Sequence, residues 1–279
     1  TLWRSFKEEL PELPSLLATA AKAFEKAEAT AREQLRARRL KPPPGPPLGE
    51  ADLRHLFVEE LTFAFRSAMA LSFDADLERE ALPPDECRDP RVATLLGPEQ
   101  LAELRAKRLV VIDWAIKPKE VLAVRKEAEA LDAEGQLRRA TAFSGYQARG
   151  DRTAWVKGEG DGPLAGAVRL LQGLAEELQA DFGELRVPRR AMLALYPGQG
   201  TGYKAHKDSI GDDPRRVTCI LYLQTLAWRS EADGGELRAY TQGSSRPVVL
   251  EPKGGRLVIF DSRSVEHEVL PSRGQRMAL

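Results

Sequence analysis

The chain has 279 residues, 42% hydrophobic and 30% charged, enough for one large or two modest domains with a sizeable core. Its 42 lysines and arginines balance 42 aspartates and glutamates, so no surplus of charge points to nucleic acid or a membrane surface, and no apolar run is long enough to span a bilayer. Two cysteines, Cys87 and Cys219, are too few for a disulfide framework, and charges among the first apolar residues argue against a signal peptide, so a reducing cytoplasmic or nuclear compartment is expected.

In chain order, 15–40 is rich in alanine, glutamate, lysine and arginine, with Leu16, Leu17, Ala20, Phe24, Ala27, Ala31 and Leu35 at helical spacing, and predicts an amphipathic helix. The run PPPGPP at 42–47 cannot continue it and reads as a stiff connector. A second helix is expected over 49–71, with Leu53, Leu56, Phe57, Leu61, Phe65 and Met69 on one face. His55 lies in it with no second ligand candidate one turn on, and reads as a surface or capping residue. The acidic, proline-bearing stretch 72–98 reads as an irregular connection. The domain boundary is placed there, with a helical region at 1–92 and a second domain at 96–279. The first residue is not methionine, which suggests a trimmed start.

The second domain opens with a short helix at 98–107, a β-branched strand at 109–114, a helix at 118–131, two short strands within 141–156 around ARGDR, and a long helix at 164–182. Strands then dominate: 191–196, 216–223, 236–240, 246–250, 256–260, 265–270 and from 275 onward. Short strands separated by glycine and proline turns suggest a barrel or sandwich, and the preceding helices are expected to buttress one sheet.

Chemistry concentrates in LYPGQGTGYKAHKDSI at 195–210. At the end of a strand, side chains two apart share a face, so His206 and Asp208 point the same way. An imidazole and a carboxylate are two of the three ligands of the facial triad that holds non-haem Fe(II) and leaves positions open. The third is expected to be His267, the only other histidine in the last two thirds of the chain, and Arg276 beyond it suits a cationic anchor for an oxo-acid on the same metal. Arg273 is a rival anchor in the preceding turn. In VTCILYL, Val217, Cys219, Leu221 and Leu223 occupy one strand face and Thr218, Ile220 and Tyr222 the other, so the Tyr222 hydroxyl can enter a cavity. The glycines of YPGQGTGY lack the lysine-serine ending of a phosphate loop and read as loop geometry.

The ordered series YPGQGTGYKAHKD, RVTCILYL, DGGELRAY, EPKGGRLVIFDSRSVEHEV and PSRGQR, with RGDRTAWVKG upstream, resembles the 2-oxoglutarate- and Fe(II)-dependent prolyl 4-hydroxylases, nearest to the hypoxia-inducible-factor prolyl hydroxylases and their protist and bacterial relatives. The resemblance spans about 96–279. It implies an α+β fold, a double-stranded β-helix (jelly-roll) core buttressed by helices. It also implies hydroxylation of a proline-containing protein substrate with O2, releasing succinate and CO2, in a cytosolic oxygen-responsive enzyme with Fe(II) as cofactor, 2-oxoglutarate as cosubstrate and ascorbate as a stimulant.

Residue by residue, the resemblance puts His206, Asp208 and His267 on the iron ligands, and Arg276 and Tyr222 on the groups that bind the distal carboxylate of 2-oxoglutarate. Tyr196 falls on a tyrosine lining that pocket and Tyr203 on one at the substrate groove. Asp151 and Arg215 match residues that lie side by side in the family, and are expected to form an ion pair that sets a loop over the entrance. The family carries its last strand beyond the arginine with an aromatic residue at the groove, whereas this sequence ends at Leu279, so the closing wall of the groove is unassigned. Hydroxylation of another residue or of a small molecule, and a non-catalytic scaffold with a vestigial site, are the alternative readings.

Overall fold

A computed structural model describes residues 25, 28, 29, 32, 94–139, 151–209, 213–244 and 246–279. The chain divides into two compact units, Thr1–Asp76 and Leu77–Leu279. In the first, Glu25, Glu28, Ala29 and Arg32 are helical, and Arg32 donates to Glu28 one turn back at 2.6 Å. The connector at 42–47, the helix at 49–71 with His55, Cys87 and the stretch 72–92 lie outside the described residues.

The second unit begins with α1 (Pro98–Lys107), β1 (Leu109–Ile112), α2 (Pro118–Ala133), β2 (Arg138–Arg139), β3 (Arg152–Lys157) and α3 (Pro163–Phe182). It continues as β4 (Arg190–Tyr196), β5 (Thr201–His206), β6 (Val217–Leu221), a single turn α4 (Ser230–Asp233), β7 (Leu237–Tyr240), β8 (Val248–Leu250), β9 (Leu257–Asp261), β10 (Glu266–Ser272) and β11 (Arg276–Ala278). Several boundaries differ from the sequence reading by one or two residues. β1 stops at Ile112 because Asp113 pairs with Arg256 and Trp114 takes a left-handed φ of 62°, which no strand accommodates. Of the two strands expected within 141–156, the second is β3; a further strand that the sequence reading did not include, Arg138–Arg139, pairs with its start, and 140–150 lie outside the described residues.

The three longer helices, α1, α2 and α3, each start on a proline at the first turn, where the missing N–H costs nothing. α3 has glycine at its N-cap, and the orphan amide of Leu164 is met instead by Glu127 of α2 at 2.8 Å, which fixes the two helices end to side. The buried face of α3, including Leu164, Val168, Leu174 and Leu178, repeats at three and four residues.

Among the described residues, eleven strands make two facing sheets. β1-β9-β6 and β11-β4-β3-β2 are joined by backbone bonds between Leu221 and Leu279 at 2.8 and 2.9 Å and by the Tyr222–Ala278 bridge, giving the order β1-β9-β6-β11-β4-β3-β2. The second sheet is β5-β10-β7-β8. The larger sheet has a core on each side. Val121, Val124, Val168, Leu174 and Leu178 of the helices pack against its Leu193, Leu195, Leu221, Leu257, Ile259 and Met277. On its other face Ala194, Tyr196, Tyr222, Val258 and Phe260 meet Leu237, Ala239, Leu250 and Val269 of the smaller sheet. This is the double-stranded β-helix; among the described residues its helices pack against one face. Truncating one of the fully buried leucines to alanine in such a core costs about 2–5 kcal/mol. The division of VTCILYL into two faces is visible here: Leu221 and Leu223 belong to the helix-side core, Tyr222 and Ile220 to the inter-sheet core. Cys219 packs with the former, and burial pushes its thiol up to about 12, leaving it protonated and inert.

Candidate metal centre and cosubstrate pocket

β5 and β10 run antiparallel with His206 directly opposite His267, the closest approach two side chains on neighbouring strands can have. The rings lie 4.4 Å apart between centroids, and Phe260 of β9 covers the far side of His267 at 4.7 Å. β5 ends at His206, so Asp208 stands just past the strand. Its alignment comes from hydrogen bonds rather than from strand alternation: Thr218 Oγ1 donates to Asp208 Oδ2 at 2.6 Å, and the next amide, Ser209, donates to the Ser262 carbonyl at 3.0 Å. The loop before β5 reaches this position through left-handed backbone at Gly198, Gln199 and Gly200, with φ of 91°, 59° and 80°, so its glycines serve geometry.

The ligand atoms converge. His206 Nε2 is 3.5 Å from Asp208 Oδ1 and His267 Nε2 is 3.8 Å from Asp208 Oδ2, and one donor atom from each residue lies within 4.8 Å of the others. His206 Nδ1 lies 2.8 Å from the Lys204 carbonyl and His267 Nδ1 3.3 Å from that of Val265. A carbonyl only accepts, so each Nδ1 carries the proton and each Nε2 presents a lone pair. Two lone pairs and a carboxylate facing one another repel unless a cation lies between them. A transition metal held by the three donors would supply it, and the imidazole and carboxylate donors of this set suit Fe(II). Burial holds the His267 imidazole below its ordinary pKa, which keeps it neutral and available. Burial also pushes the Asp208 carboxyl up, but a proton on the facing His206 and His267 imidazoles, when no metal is bound, and the Thr218 hydroxyl outweigh it and leave the group below the usual carboxylate range.

The inter-sheet layer also holds a buried cation. Arg276 of β11 sits opposite Tyr196 of β4, is 2% exposed, and has its guanidinium 5.0 Å from the ring centres of both Tyr196 and Tyr222. Its Nε donates to the Gly235 carbonyl at 2.9 Å. Gly235 has φ of 75°, and a Cβ there would meet Ser272 Oγ at 2.8 Å and Arg276 Cδ at 3.0 Å, so this close approach requires glycine. Among the described residues no carboxylate pairs with Arg276, and the buried Tyr222 hydroxyl beside it meets no partner at hydrogen-bonding geometry. Burial raises the Tyr222 pKa while the Arg276 charge opposes the rise. A buried guanidinium and an orphan hydroxyl make a receptor for a carboxylate, as the distal end of 2-oxoglutarate provides. Arg273, the rival anchor, is exposed and tied by Nε and Nη2 to the carbonyls of Ala232 and Glu231 at 2.6 and 2.7 Å.

Of the residues expected at the substrate groove, Tyr203 touches a metal-ligand candidate. The Tyr203 ring stacks on His206 with centroids 3.9 Å apart. Asp151 is fully buried at the start of β3, and the Arg215 guanidinium donates to both carboxylate oxygens of Asp213. Sequence reasoning missed Thr218, Ser262 and Gly235. Thr218 had a visible signal, since it shares a strand face with Tyr222; Ser262 had none.

Residues 191–279 match the 2OG-Fe(II) oxygenase superfamily. This segment is a 2OG-Fe(II) oxygenase domain. The oxygenase domain and its flank are similar to Egl nine homolog 1 of Rattus norvegicus, 37% identical over 153 residues that cover 52% of this chain and 44% of that protein. The chain thus spans about half the length of the curated relatives it matches. Among solved structures, a prolyl hydroxylase from Trichoplax adhaerens in complex with a hypoxia inducible factor oxygen degradation domain peptide fragment is similar at 26% identity and a TM-score of 0.59, covering 64% of this chain and 84% of that one. A Pseudomonas putida prolyl-4-hydroxylase is similar at 29% identity and 0.53, covering 64% and 94%. The family is named for Fe(II) and 2-oxoglutarate, in accord with the donor set and the cationic pocket. Among the described residues no helix is long and apolar enough to cross a membrane.

Replacing Asp208 with alanine removes the anionic ligand while leaving both cores intact. Asp208→Ala is expected to abolish Fe(II) binding in calorimetry and 2-oxoglutarate turnover, with the metal-free melting temperature preserved. Normal succinate production by the variant would strike Asp208 from the ligand set.

Proposed function

We propose that this chain is a protein prolyl 4-hydroxylase. It uses Fe(II), 2-oxoglutarate and O2 to place a hydroxyl on a proline of a polypeptide substrate and releases succinate and CO2. The observation that carries the reading is that His206, Asp208 and His267, with Phe260 against His267, share one inter-sheet layer with the buried Arg276 and its two tyrosines, Tyr196 and Tyr222. The prolyl hydroxylase names of its relatives support the target residue. Iron with 2-oxoglutarate supplies the oxidation. The protein's own residues do the rest: His206, Asp208 and His267 would hold the metal through three donors, and Arg276 and Tyr222 would orient the cosubstrate by its far carboxylate. Tyr196 and Phe260 help keep water from the cavity. We place the reaction in the cytoplasm, where a free thiol such as Cys219 stays reduced.

At the entrance, Tyr203, Asp151 and Arg215 form the proposed substrate side of the site. Arg215 is braced by Asp213, whose own carboxylate is buried, and Asp151 anchors the strand that follows the 140–150 segment. In this reading Asp151 and Arg215 act together to set the covering loop.

The direct test is incubation with Fe(II), 2-oxoglutarate and a panel of proline-containing peptides, followed by mass spectrometry. One added oxygen on proline, coupled to succinate, is expected; succinate with oxygen only on other residues or on small molecules would overturn the target assignment. Loss of a charge-assisted pair costs about 1.5–3 kcal/mol, so Arg276→Ala should raise the 2-oxoglutarate requirement roughly tenfold or more, and Arg273→Ala should leave it unchanged. The reverse pattern would identify Arg273 as the anchor. Reversing the charge of Asp151 or Arg215 singly should weaken peptide hydroxylation and spare uncoupled 2-oxoglutarate turnover, and reversing both should restore part of it. Additive losses would show that the two do not act as a pair.

A further inference from the structure

The metal carboxylate is held by a chain of two hydroxyls that runs from the larger sheet into the site. Thr218 Oγ1 lies 2.6 Å from Asp208 Oδ2 and 2.8 Å from Ser262 Oγ. A threonine hydroxyl has one proton. An ionised carboxylate can only accept, so that proton goes to Asp208, and the contact with Ser262 must run the other way, with Ser262 donating to Thr218. The result is a directed relay, Ser262 to Thr218 to Asp208, in which each bond strengthens the next.

The relay is rigid at its outer end. Ser262 is fully buried, its amide donates to the Arg216 carbonyl at 3.1 Å, and its own carbonyl accepts from Ser209 at 3.0 Å, next to Asp208 in the chain. Thr218 is fixed by the β6–β9 register, which sets it opposite Phe260, the ring that covers His267. Asp208 stands beyond the last residue of β5 and has no strand partner to orient it. Its carboxylate therefore takes its direction from Thr218 and Ser262.

We infer that Thr218 and Ser262 are positioning residues of the metal centre: by occupying Asp208 Oδ2 they leave Oδ1 as the oxygen presented beside His206 Nε2, so that the carboxylate binds through one oxygen and coordination positions stay open. The inference rests on the metal-ligand reading of His206, Asp208 and His267. Partners of this kind, placed behind a ligand, typically change metal affinity or activity by about 10–100-fold. The role differs from packing, because it depends on a hydroxyl proton and is restored by any side chain that supplies one at the same place.

The test is calorimetric binding of Mn(II) and, without oxygen, Fe(II) to the full chain, with no turnover required. Thr218→Val keeps the shape and removes the donor; it should weaken metal binding by about tenfold or more. Thr218→Ser should restore it to within about threefold of the parent. Ser262→Ala should give a smaller loss in the same direction, and no further loss when added to Thr218→Val, because Ser262 acts through Thr218. Thermal melting of each metal-free variant reports folding independently, and Ser262→Ala and Thr218→Ser carry the test if Thr218→Val does not fold. Parent-like metal affinity in Thr218→Val, or an unchanged affinity in Ser262→Ala, would overturn the relay while leaving the ligand set standing. Absence of metal binding by the parent chain would instead overturn the metal-ligand reading on which the relay rests.

Discussion

The pairing of β5 with β10 is the constraint on which the site depends. It sets His206 against His267 across one rung of an antiparallel ladder, although sixty-one positions separate them in the chain. The pairing is irregular, with shifts between His267 and Val269 and between Val269 and Ser272, and these fall where the strands diverge from the site. Slipping β10 by one residue would turn Glu266 or Glu268 inward and carry His267 to the outside. The smaller sheet guards against this from the other side, since β7 pairs with β10 in unbroken register from Glu266 to Val269, and its Leu237 and Ala239 fill the cavity floor.

The larger sheet solves a different problem, that of carrying two unlike faces. Its helix side is a dry aliphatic core; its other side must hold a guanidinium, two tyrosines and a carboxylate. Strand alternation separates them without any insulating layer. Leu195 and Met277 face the helices, while their neighbours Tyr196 and Arg276 face the cavity directly opposite one another. Burial of Arg276 would be costly in an apolar layer, and the two aromatic faces soften that cost by offering their negative quadrupoles to the cation.

Much of this was legible in the sequence because it follows a short period. The alternation in VTCILYL predicted which side of the sheet Tyr222 faces, and the helical spacing of 164–182 predicted the buttress. Spacing alone put His206 and Asp208 together, yet for a reason that holds only in part: β5 stops at His206, and a hydroxyl from β6 does the aligning. Thr218 was marked by the strand face it shares with Tyr222, whereas Ser262 and Gly235 act through partners far along the chain, and nothing in their local context distinguishes them from ordinary strand and turn residues. The left-handed Trp114 and the early strand at Arg138–Arg139 were hidden for the same reason, since β1 ends where Asp113 finds Arg256, more than a hundred residues away.

The polar exceptions in the fold are informative in where they coincide. Folded proteins leave few buried polar groups unsatisfied, and each needs a reason. Orphan atoms do occur away from the site, as at Gln224 and Trp228. Among the described residues, the inter-sheet layer holds both an orphan hydroxyl beside a buried cation that lacks a carboxylate partner and three donor atoms that face one another. Each of these is unfavourable for the protein by itself, and the signs are complementary: the ligand cluster asks for a positive ion and the Arg276 group for a negative one. A molecule with a metal-chelating end and a distal carboxylate, bound with its metal, would satisfy both at once. The dioxygenase reading therefore follows from unmet electrostatic demands of opposite sign in one inter-sheet layer, and it explains why a stable fold tolerates them.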